Sequence, residues 1–305
     1  MFLAFVVALV FVFLYRKPAR SRCGTLHGMP WVPEVFSAPV QERLKRERRR
    51  ETLLAVPYFE GVMAGETNAL IESFAGKPEL HHPVRGRIRD VRGFETYVND
   101  TIDWLTERNA TVEEVGHIGT PRQGFEEVVL HLDGETGRIQ LPVAIVADHH
   151  SHGQLDELRI YYSTWPLIGR HANRPPLLQP DPELREHDVV ADYQRALAAG
   201  DLDAIVSTFE PDGYAREPAG RRYLHRGPEA LRRFYGRLFA NGGGISLQHC
   251  GVIDADGACA LEYNVIRWGK TDVLPPQAGV AIYVRGKSGK LAAARIYDDA
   301  DPPLS

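Results

Sequence analysis

The chain has few cysteines, and they form no recognisable pattern. Its 305 residues contain Cys23, Cys250 and Cys259, and none of these belongs to a CxxC pair. Three cysteines cannot build a disulfide framework, and a structural zinc site made of thiolates is not expected without closely spaced pairs. The composition therefore indicates a protein from a reducing compartment whose domains are held together by packed cores.

A strong excess of charge of one sign is also absent. The chain has 36 basic and 40 acidic residues, which gives a net charge of −4. A nucleic-acid-binding protein usually carries a basic excess on one face, so we expect no nucleic-acid partner. The basic run at residues 45–50 contains no aromatic residue and is typical of a solvated helix face. A hydrophobic content of 44% excludes a wholly disordered chain.

The chain lacks an apolar run long enough to form an ordinary membrane-spanning helix. Residues 2–15 carry no charge, but a spanning helix needs about 20 residues. No basic residue precedes this run and no cleavage site follows it, so it is a poor match to a secretory signal peptide. Either the run is a short anchor that associates weakly with a membrane, or translation starts later, for example at Met29. In both cases we expect the body of the protein to be cytoplasmic.

Several nucleotide and nucleophile motifs are missing as well. The sequence contains no dinucleotide fingerprint, no P-loop and no nucleophile elbow. We therefore expect neither NAD nor ATP, nor any other cofactor, and no hydrolase triad.

What the sequence does contain is an internal repeat with a spacing near 135 residues. The order of the matches is kept while the spacing drifts by one or two residues, which indicates a duplication with small changes in loop length. The matched pairs are Tyr58 with Tyr193, 64–66 with 199–201, 69–74 with 204–209, Pro83 with Pro218, 143–145 with 280–282, and 159–161 with 295–297.

Each copy predicts helices followed by strands. In the second copy, apolar residues recur at helical spacing from Val189 to Leu197, and a later helix opens after Gly227-Pro228. This order favours an α+β domain whose helices pack on one face of a curved sheet. The predicted strands are 245–253, 259–268, 280–284 and 291–297. The predicted organisation is an N-terminal segment 1–44, a first domain 45–166, a proline-rich semi-rigid linker 167–183 and a second domain 184–305.

Residues 193–220 (YQRALAAGDLDAIVSTFEPDGYAREPAG) resemble the opening of ketosteroid isomerase and its SnoaL-like relatives in the nuclear transport factor 2-like superfamily. The shared pattern is an aromatic residue in the first helix, then Ala-Gly-Asp-Leu-Asp, then a helix that ends in Phe. The match continues through 227–235 to 295–297 and is weaker in the first copy. The resemblance implies two tandem cones, each with three helices over a strongly bent, mainly antiparallel sheet and a ligand pocket inside.

The resemblance also implies roles for two residues of the second copy. Glu217 takes the place of the general base and Tyr193 the place of the donor to a developing oxyanion. An apolar cone raises the pKa of a carboxyl group towards the working pH, and a buried phenol can stabilise an enolate. The second acid of the isomerase falls near Ala281, which cannot donate, so steroid isomerisation is not expected. Other candidates for ligand contact are Tyr263, Asn264, Trp268 and Asp298.

In the first copy, Tyr58 matches Tyr193 and His82 matches Glu217, which makes both of them ligand-binding candidates. An imidazole titrates near neutral pH and could move a proton. The alternative is that His81 and His82 form a surface pair at a strand end. The run at residues 148–152 (DHHSH) lies in a predicted turn, where solvated histidines are more usual than a closed metal site, so no metal is expected.

Two functions follow from these observations. The first is a cofactor-independent enzyme that transfers a proton on an apolar small molecule, of the isomerase, cyclase, dehydratase or epoxide hydrolase type. The tandem copies also resemble fused epoxide hydrolase-cyclases of polyether biosynthesis, although His82 departs from their acidic pairs. The second is a non-catalytic ligand-binding or interaction protein. In both cases we expect the two sheets to pack together as an intramolecular pseudo-dimer in a monomeric chain, with Tyr161 and Tyr297 between them.

Overall fold

Each half of the described chain folds into a six-stranded sheet with its own helices, and the central strands of both sheets are buried along most of their length. The computed structural model describes residues 67–120, 122–135, 137–150, 154–219, 223–255, 257–270 and 272–300. The predicted α+β class with two tandem domains is confirmed. Predictions that fall on residues 1–66, including Tyr58, lie outside the described residues, and the domain boundaries remain predictions.

From the helix that directly precedes the first strand to the last strand, the described helices and strands follow the same order in the two domains. The first domain contains α1 (Thr67–Glu72), β1 (Leu80–His82), β2 (Gly86–Ile88), α2 (Val91–Glu107), β3 (Thr111–Gly119), β4 (Gln123–Gly134), β5 (Gly137–His149) and β6 (Leu155–Tyr161), followed by α3 (Trp165–Ile168). The second contains α4 (Asp188–Ala199), α5 (Leu202–Ser207), β7 (Phe209–Arg216), β8 (Leu224–Arg226), α6 (Pro228–Leu238), β9 (Ile245–Ala255), β10 (Ala258–Trp268), β11 (Asp272–Arg285) and β12 (Leu291–Asp298). None of the described helices combines the length and apolar character needed to cross a membrane.

Local sequence signals explain where the helices begin and end. The Asp90 carboxylate caps α2 by accepting a hydrogen bond from the Gly93 amide at 2.8 Å. Helix α4 ends at Gly200, which adopts the left-handed conformation with φ 69°. A side chain at Gly200 would also lie 2.5 Å from the backbone of Gly243. Glycine is therefore required at Gly200 by both conformation and space.

The two sheets have the same topology. Their strand orders are β2-β1-β6-β5-β4-β3 and β8-β7-β12-β11-β10-β9. The pairs β1–β6 and β7–β12 are parallel, and the other neighbours are antiparallel. His81 lies opposite Arg159, and Arg216 lies opposite Arg295. The register therefore makes His82 and Glu217 equivalent, as the repeat predicts.

One of the matched segments is misaligned by a single residue. Val143 faces the core of the first domain, whereas Val280 belongs to a cluster on the outer face of the second sheet. The strand partners show the correct equivalence, because Tyr161 lies opposite Ala144 and Tyr297 lies opposite Val280. The spacing of 137 predicted for this strand is wrong, since a shift of one residue exchanges the two faces of a strand.

The outer faces of the two sheets pack against each other. Each domain has its own core, and a third cluster contains buried residues of both sheets. The members of this third cluster are Phe125, Ala144, Val146, Tyr161, Ile253, Ala260, Ala278, Val280, Ile282 and Tyr297. The expected burial of Tyr161 and Tyr297 is thus present in the structure.

Two buried ion pairs cross this interface in reciprocal fashion. Arg159 donates from Nε to Oε1 of Glu262 at 2.7 Å and from a terminal nitrogen to Oε2 at 2.9 Å. Arg295 donates to both carboxylate oxygens of Glu127, with 2.9 Å from Nε to Oε1. Glu127 and Glu262 occupy equivalent positions, opposite Ala144 and Val280. The same contact is therefore made twice with the domains exchanged, as in a two-fold symmetric dimer interface.

The proline-rich segment between the domains is packed against the second domain. The Asn173 amide donates to the Asp299 carbonyl at 3.1 Å, and the Asp181 amide donates to the His249 carbonyl at 2.8 Å. The Arg174 carbonyl accepts from the Ala278 amide at 2.8 Å. These contacts hold the segment to the second sheet, so it does not act as a free spacer.

Candidate functional site

Tyr193 lies in an aromatic cluster inside the second domain. Its ring centroid is 5.0 Å from that of Tyr283 and 5.9 Å from that of Phe209. Its hydroxyl is 2.8 Å from the hydroxyl of Tyr235. Burial raises the pKa of Tyr193 well above its ordinary value, so the phenol stays protonated.

Glu217 follows β7 at the rim of the same domain. Its side chain is about 30% exposed, and its Oε1 lies 2.6 Å from Nε2 of His225. The His225 ring stacks on Phe234 with centroids 4.2 Å apart. Glu217 and Tyr193 therefore have different hydrogen-bond partners, and their sharing of one pocket remains a prediction.

Asp298 and Tyr263 meet on the inner face of the second sheet. The Tyr263 hydroxyl donates to Oδ2 of Asp298 at 2.8 Å. Gly279 lies between them in the sheet, opposite both residues. A Cβ at this glycine would be 2.7 Å from Tyr263 and from Asp298. The contact therefore depends on the absence of a side chain at Gly279.

The carboxyl group of Asp298 is unusual among the described acids. Burial raises the pKa of Asp298 to about 6, although the Tyr263 hydrogen bond opposes this shift, and the neighbouring charge of Asp299 adds to it. A carboxyl group with a pKa near neutral can both take and return a proton at the working pH. Asp298 therefore has the acid–base property that the sequence resemblance implied for Glu217.

The two other polar candidates of the second copy make structural contacts. The buried Trp268 donates from Nε1 to the Leu238 carbonyl at 3.1 Å. Asn264 donates to the Leu178 carbonyl at 3.2 Å, on the side of the sheet covered by the interdomain segment. Strand alternation places Tyr263 on one face and Asn264 on the other.

In the first domain, the interpretation of His81 and His82 as a surface pair is wrong. His81 is 7% exposed. His82 lines a partly open cavity of about 920 Å³, where its ring lies 5.4 Å from that of Tyr97 and 5.6 Å from that of Tyr162. Burial, with smaller contributions from Arg174 and Arg85, lowers the pKa of His82 to about 3. His82 is therefore neutral at physiological pH.

Two acidic side chains and one histidine also meet at β1. His81 Nε2 lies 3.3 Å from a carboxylate oxygen of Glu79 and 3.3 Å from one of Glu157. Arg87 pairs with Glu79, and Arg159 pairs with Glu157, so the carboxylates already have cationic partners. We assign no metal to this cluster.

The run at residues 148–152 is predicted to lie in a turn, but Asp148 and His149 end β5. The carboxylate of Asp148 and the ring of His150 have different partners. Asp148 accepts from Arg159 at 2.5 Å, whereas Nδ1 of His150 lies 3.1 Å from Asp156. Residues 151–153 lie outside the described part of the chain.

Comparison with known proteins places the second domain in a family. The sequence model of the SnoaL-like domain matches residues 190–294, from α4 into β12. The second domain is SnoaL-like. The resemblance predicted from residues 193–220 is thus confirmed for this domain. No curated protein is significantly similar in sequence to the chain.

Solved structures similar to the chain have low sequence identity. An uncharacterised cystatin-fold protein from Novosphingobium aromaticivorans is 20% identical, covering 35% of this chain and 93% of its own, with a TM-score of 0.31. A putative polyketide cyclase from Sinorhizobium meliloti is 18% identical, with coverages of 36% and 94% and a TM-score of 0.31. The epoxide hydrolase/cyclase-like enzyme SalBIII of salinomycin pyran ring formation is 16% identical, with coverages of 40% and 92% and a TM-score of 0.29.

The sequence did not single out Tyr162, which lines the cavity of the first domain. Tyr162 and Asp298 are separated by 136 positions, the same spacing as Tyr161 and Tyr297, so they occupy equivalent inner-face positions in the first and the SnoaL-like domain. The repeat in the sequence indicates this equivalence, because the matched segments 159–161 and 295–297 end one residue before Tyr162 and Asp298. This inner-face position therefore carries a neutral hydrogen-bond donor, Tyr162, in the first domain and an acid, Asp298, in the SnoaL-like domain.

Proposed function

We propose that the SnoaL-like domain is a small-molecule enzyme in which Asp298 transfers a proton on an apolar substrate. The observation that carries this proposal is the inner-face carboxyl group of Asp298, held by the Tyr263 hydroxyl at 2.8 Å. Its pKa of about 6 makes the carboxylate the main form at pH 7 while keeping proton return easy. The reaction class remains that of an isomerase, cyclase, dehydratase or epoxide hydrolase.

In this proposal, each residue has a distinct part. The Asp298 carboxylate accepts a proton from a carbon next to a carbonyl, or from a water that opens an epoxide, and later returns it to the product. Tyr263 is a positioning residue, because its hydroxyl holds the carboxylate in place. Glu217 lies at the rim with His225, where it can contact the substrate. Tyr193 supports the aromatic wall through Tyr235.

Exchange of protons for deuterons tests this function without a known natural substrate. The full-length chain is incubated with 2-tetralone in D₂O, and incorporation of deuterium next to the carbonyl is followed by mass spectrometry, with cyclohexene oxide hydrolysis as a second assay. Asp298→Asn should lower the protein-dependent rate by about 100-fold or more, the usual contribution of a general base. Glu217→Gln, the matched carboxylate-to-amide change, should lower it less than tenfold.

A non-catalytic binding protein is the second candidate. It is favoured by the aromatic cluster around Tyr193 and by Ala281, a buried position that carries no donor. If neither substrate reacts faster than in buffer, or if Asp298→Asn retains full activity, the enzyme proposal fails and this candidate replaces it.

A further inference from the structure

The cavity of the first domain has the size and the walls of a ligand site. Its volume of about 920 Å³ lies within the range of small-molecule pockets. Two large apolar side chains at its rim, Val84 and Ile168, are 65% and 58% exposed. Exposed apolar groups around an opening are typical of sites that receive apolar molecules. The inner walls include Leu105, Leu130, Leu141, Val143 and Ile160.

Backbone contacts decide which nitrogen of His82 carries the proton. The amides of Val84 and Arg85 donate to Nδ1 at 3.2 Å and 3.1 Å. Because Nδ1 accepts, the proton of the neutral ring must be on Nε2. Nε2 faces the Tyr162 hydroxyl oxygen at 3.4 Å. His82 therefore donates to Tyr162 and, in this arrangement, has no basic nitrogen to offer to a substrate.

The hydroxyl of Tyr162 is then left with a proton to donate. Burial and the nearby Tyr97 raise the pKa of Tyr162 well above its ordinary value, so the phenol stays protonated. One lone pair of its oxygen accepts from His82, which directs the O–H bond away from the imidazole. Donation from His82 also polarises the phenol and strengthens its own donation. Since Tyr162 lines the cavity, this donor is presented to a bound molecule.

Two of the charged groups around the opening, Arg85 and Asp133, are already paired. Arg85 bonds to Asp100 at 2.6 Å, and Asp133 bonds to Arg138 at 2.5 Å. An ionised ligand would lose its hydration on entering the apolar interior and would have to compete for these partners. A neutral molecule with an acceptor oxygen avoids this loss of hydration, and its oxygen can accept the hydrogen bond from the Tyr162 hydroxyl.

We propose that the first domain binds a neutral apolar molecule through a carbonyl oxygen that accepts a hydrogen bond from Tyr162. This site is separate from the acid–base site at Asp298 in the SnoaL-like domain. The first domain is then a binding unit, because His82 is neutral with its lone pair engaged.

Two probes of nearly equal shape test the hydrogen bond. Calorimetry with the full-length chain compares 2-acetonaphthone with 2-isopropenylnaphthalene, in which a methylene group replaces the carbonyl oxygen. We expect about tenfold tighter binding of the ketone, as one buried hydrogen bond allows. Tyr162→Phe should remove this preference while leaving the affinity for the hydrocarbon within about twofold. Retained hydrocarbon binding also shows that the variant has kept its cavity.

A second measurement does not depend on that variant. The carbonyl stretch of 2-acetonaphthone bound to the wild-type protein should lie at lower wavenumber than in hexane, because hydrogen bonding weakens the C=O bond. A hexane-like frequency, or a ketone preference that survives Tyr162→Phe, would overturn the proposal.

A matched pair of helix variants locates the binding. Thr101 lines the cavity and Thr96 is exposed, and both hydroxyls donate to a carbonyl four residues earlier on α2. Thr101→Trp should abolish binding of both probes, whereas Thr96→Trp should leave it unchanged. Absence of saturable wild-type binding, or binding that survives Thr101→Trp, contradicts the proposal. Loss of ketone binding in Asp298→Asn would place the ketone in the SnoaL-like domain and overturn this assignment without touching the proposed enzyme activity.

Discussion

Asp298 and Asp299 are adjacent carboxyl groups whose pKa values move in opposite directions. Burial raises the pKa of Asp298 to about 6, and one tyrosine hydroxyl donates to it. Burial would also raise the pKa of Asp299, but hydrogen bonds from His171, Ser163 and Thr164 outweigh this and lower it. Donors that favour the charged form decide the direction of the shift. The two adjacent acids can therefore have different roles: the raised pKa of Asp298 suits proton transfer, and the charged carboxylate of Asp299 holds the interdomain segment.

The raised pKa of Asp298 predicts a specific dependence of stability on pH. Between about pH 4 and pH 6 the folded protein retains a proton that the unfolded chain has lost, so the free energy of unfolding falls as the pH rises. Asp298→Asn removes this titration. Urea unfolding from pH 4 to pH 8 should show the variant gaining stability relative to wild type up to about pH 6 and no further change above about pH 7. Parallel pH profiles for the two proteins would contradict the pKa shift.

At the scale of elements, the end of β12 anchors the segment that follows β6. Asp299 is buried and accepts hydrogen bonds from the Thr164 amide at 3.0 Å and the Ala172 amide at 2.7 Å. The Ser163 and Thr164 hydroxyls also donate to it, at 2.7 Å each. One carboxylate thus satisfies several donors of the interdomain segment, which explains how a proline-rich stretch is held in place.

We expect Asp299→Asn to destabilise the protein by about 2 kcal/mol. The side-chain amide of the variant has one acceptor oxygen, whereas the carboxylate has two. Its NH₂ group would also face the hydrogen-bond donors that the charged carboxylate satisfies in the wild type. Asp181→Asn is the control, because Asp181 lies in the same segment and its carboxylate accepts an exposed hydrogen bond from the Glu183 amide. Urea unfolding at pH 7 should show a loss within about 0.5 kcal/mol for the control. Equal losses for the two variants would mean that Asp299 does not anchor the segment.

At the scale of the whole molecule, the interface between the two domains contains the same arginine–glutamate pair twice, but the two arginines have different additional partners. Arg159 contacts Asp148 and Glu157 in addition to Glu262. Arg295, its equivalent, contacts Glu127 and the Tyr214 hydroxyl. Of these two equivalent arginines, Arg159 therefore has carboxylate partners besides the glutamate across the interface, whereas the further partner of Arg295 is a hydroxyl group.

This asymmetry predicts an order of stability losses. Glu127→Gln should cost about 3 kcal/mol, because it leaves the buried Arg295 without its carboxylate partner. Glu262→Gln should cost less than half of that, because Arg159 keeps Asp148 and Glu157. Urea unfolding of both variants at pH 7 measures the order, with the exposed Glu113→Gln as control. A loss for Glu262→Gln equal to or larger than that for Glu127→Gln contradicts this account of the interface.

The sequence by itself determined the duplication and the order of helices and strands, because these depend on local periodicity and on spacing along the chain. The SnoaL-like character of the second domain was indicated by the resemblance of residues 193–220 to that family. The sequence also paired His82 with Glu217 correctly. The one-residue misalignment of Val143 with Val280 shows the limit of such matching, since a small shift in a strand exchanges inside for outside.

Only the tertiary structure decided which polar groups meet and which of them lose water. Tyr263 and Asp298 lie 35 residues apart and meet across Gly279 because β10, β11 and β12 are neighbours in one sheet. Glu127 and Arg295 lie 168 residues apart and meet because two sheets pack face to face. A pKa depends on burial and on such partners, which the chain order does not specify. The sequence named Asp298 only as a candidate for ligand contact, whereas its raised pKa and the donor in the first cavity became visible only in the folded molecule.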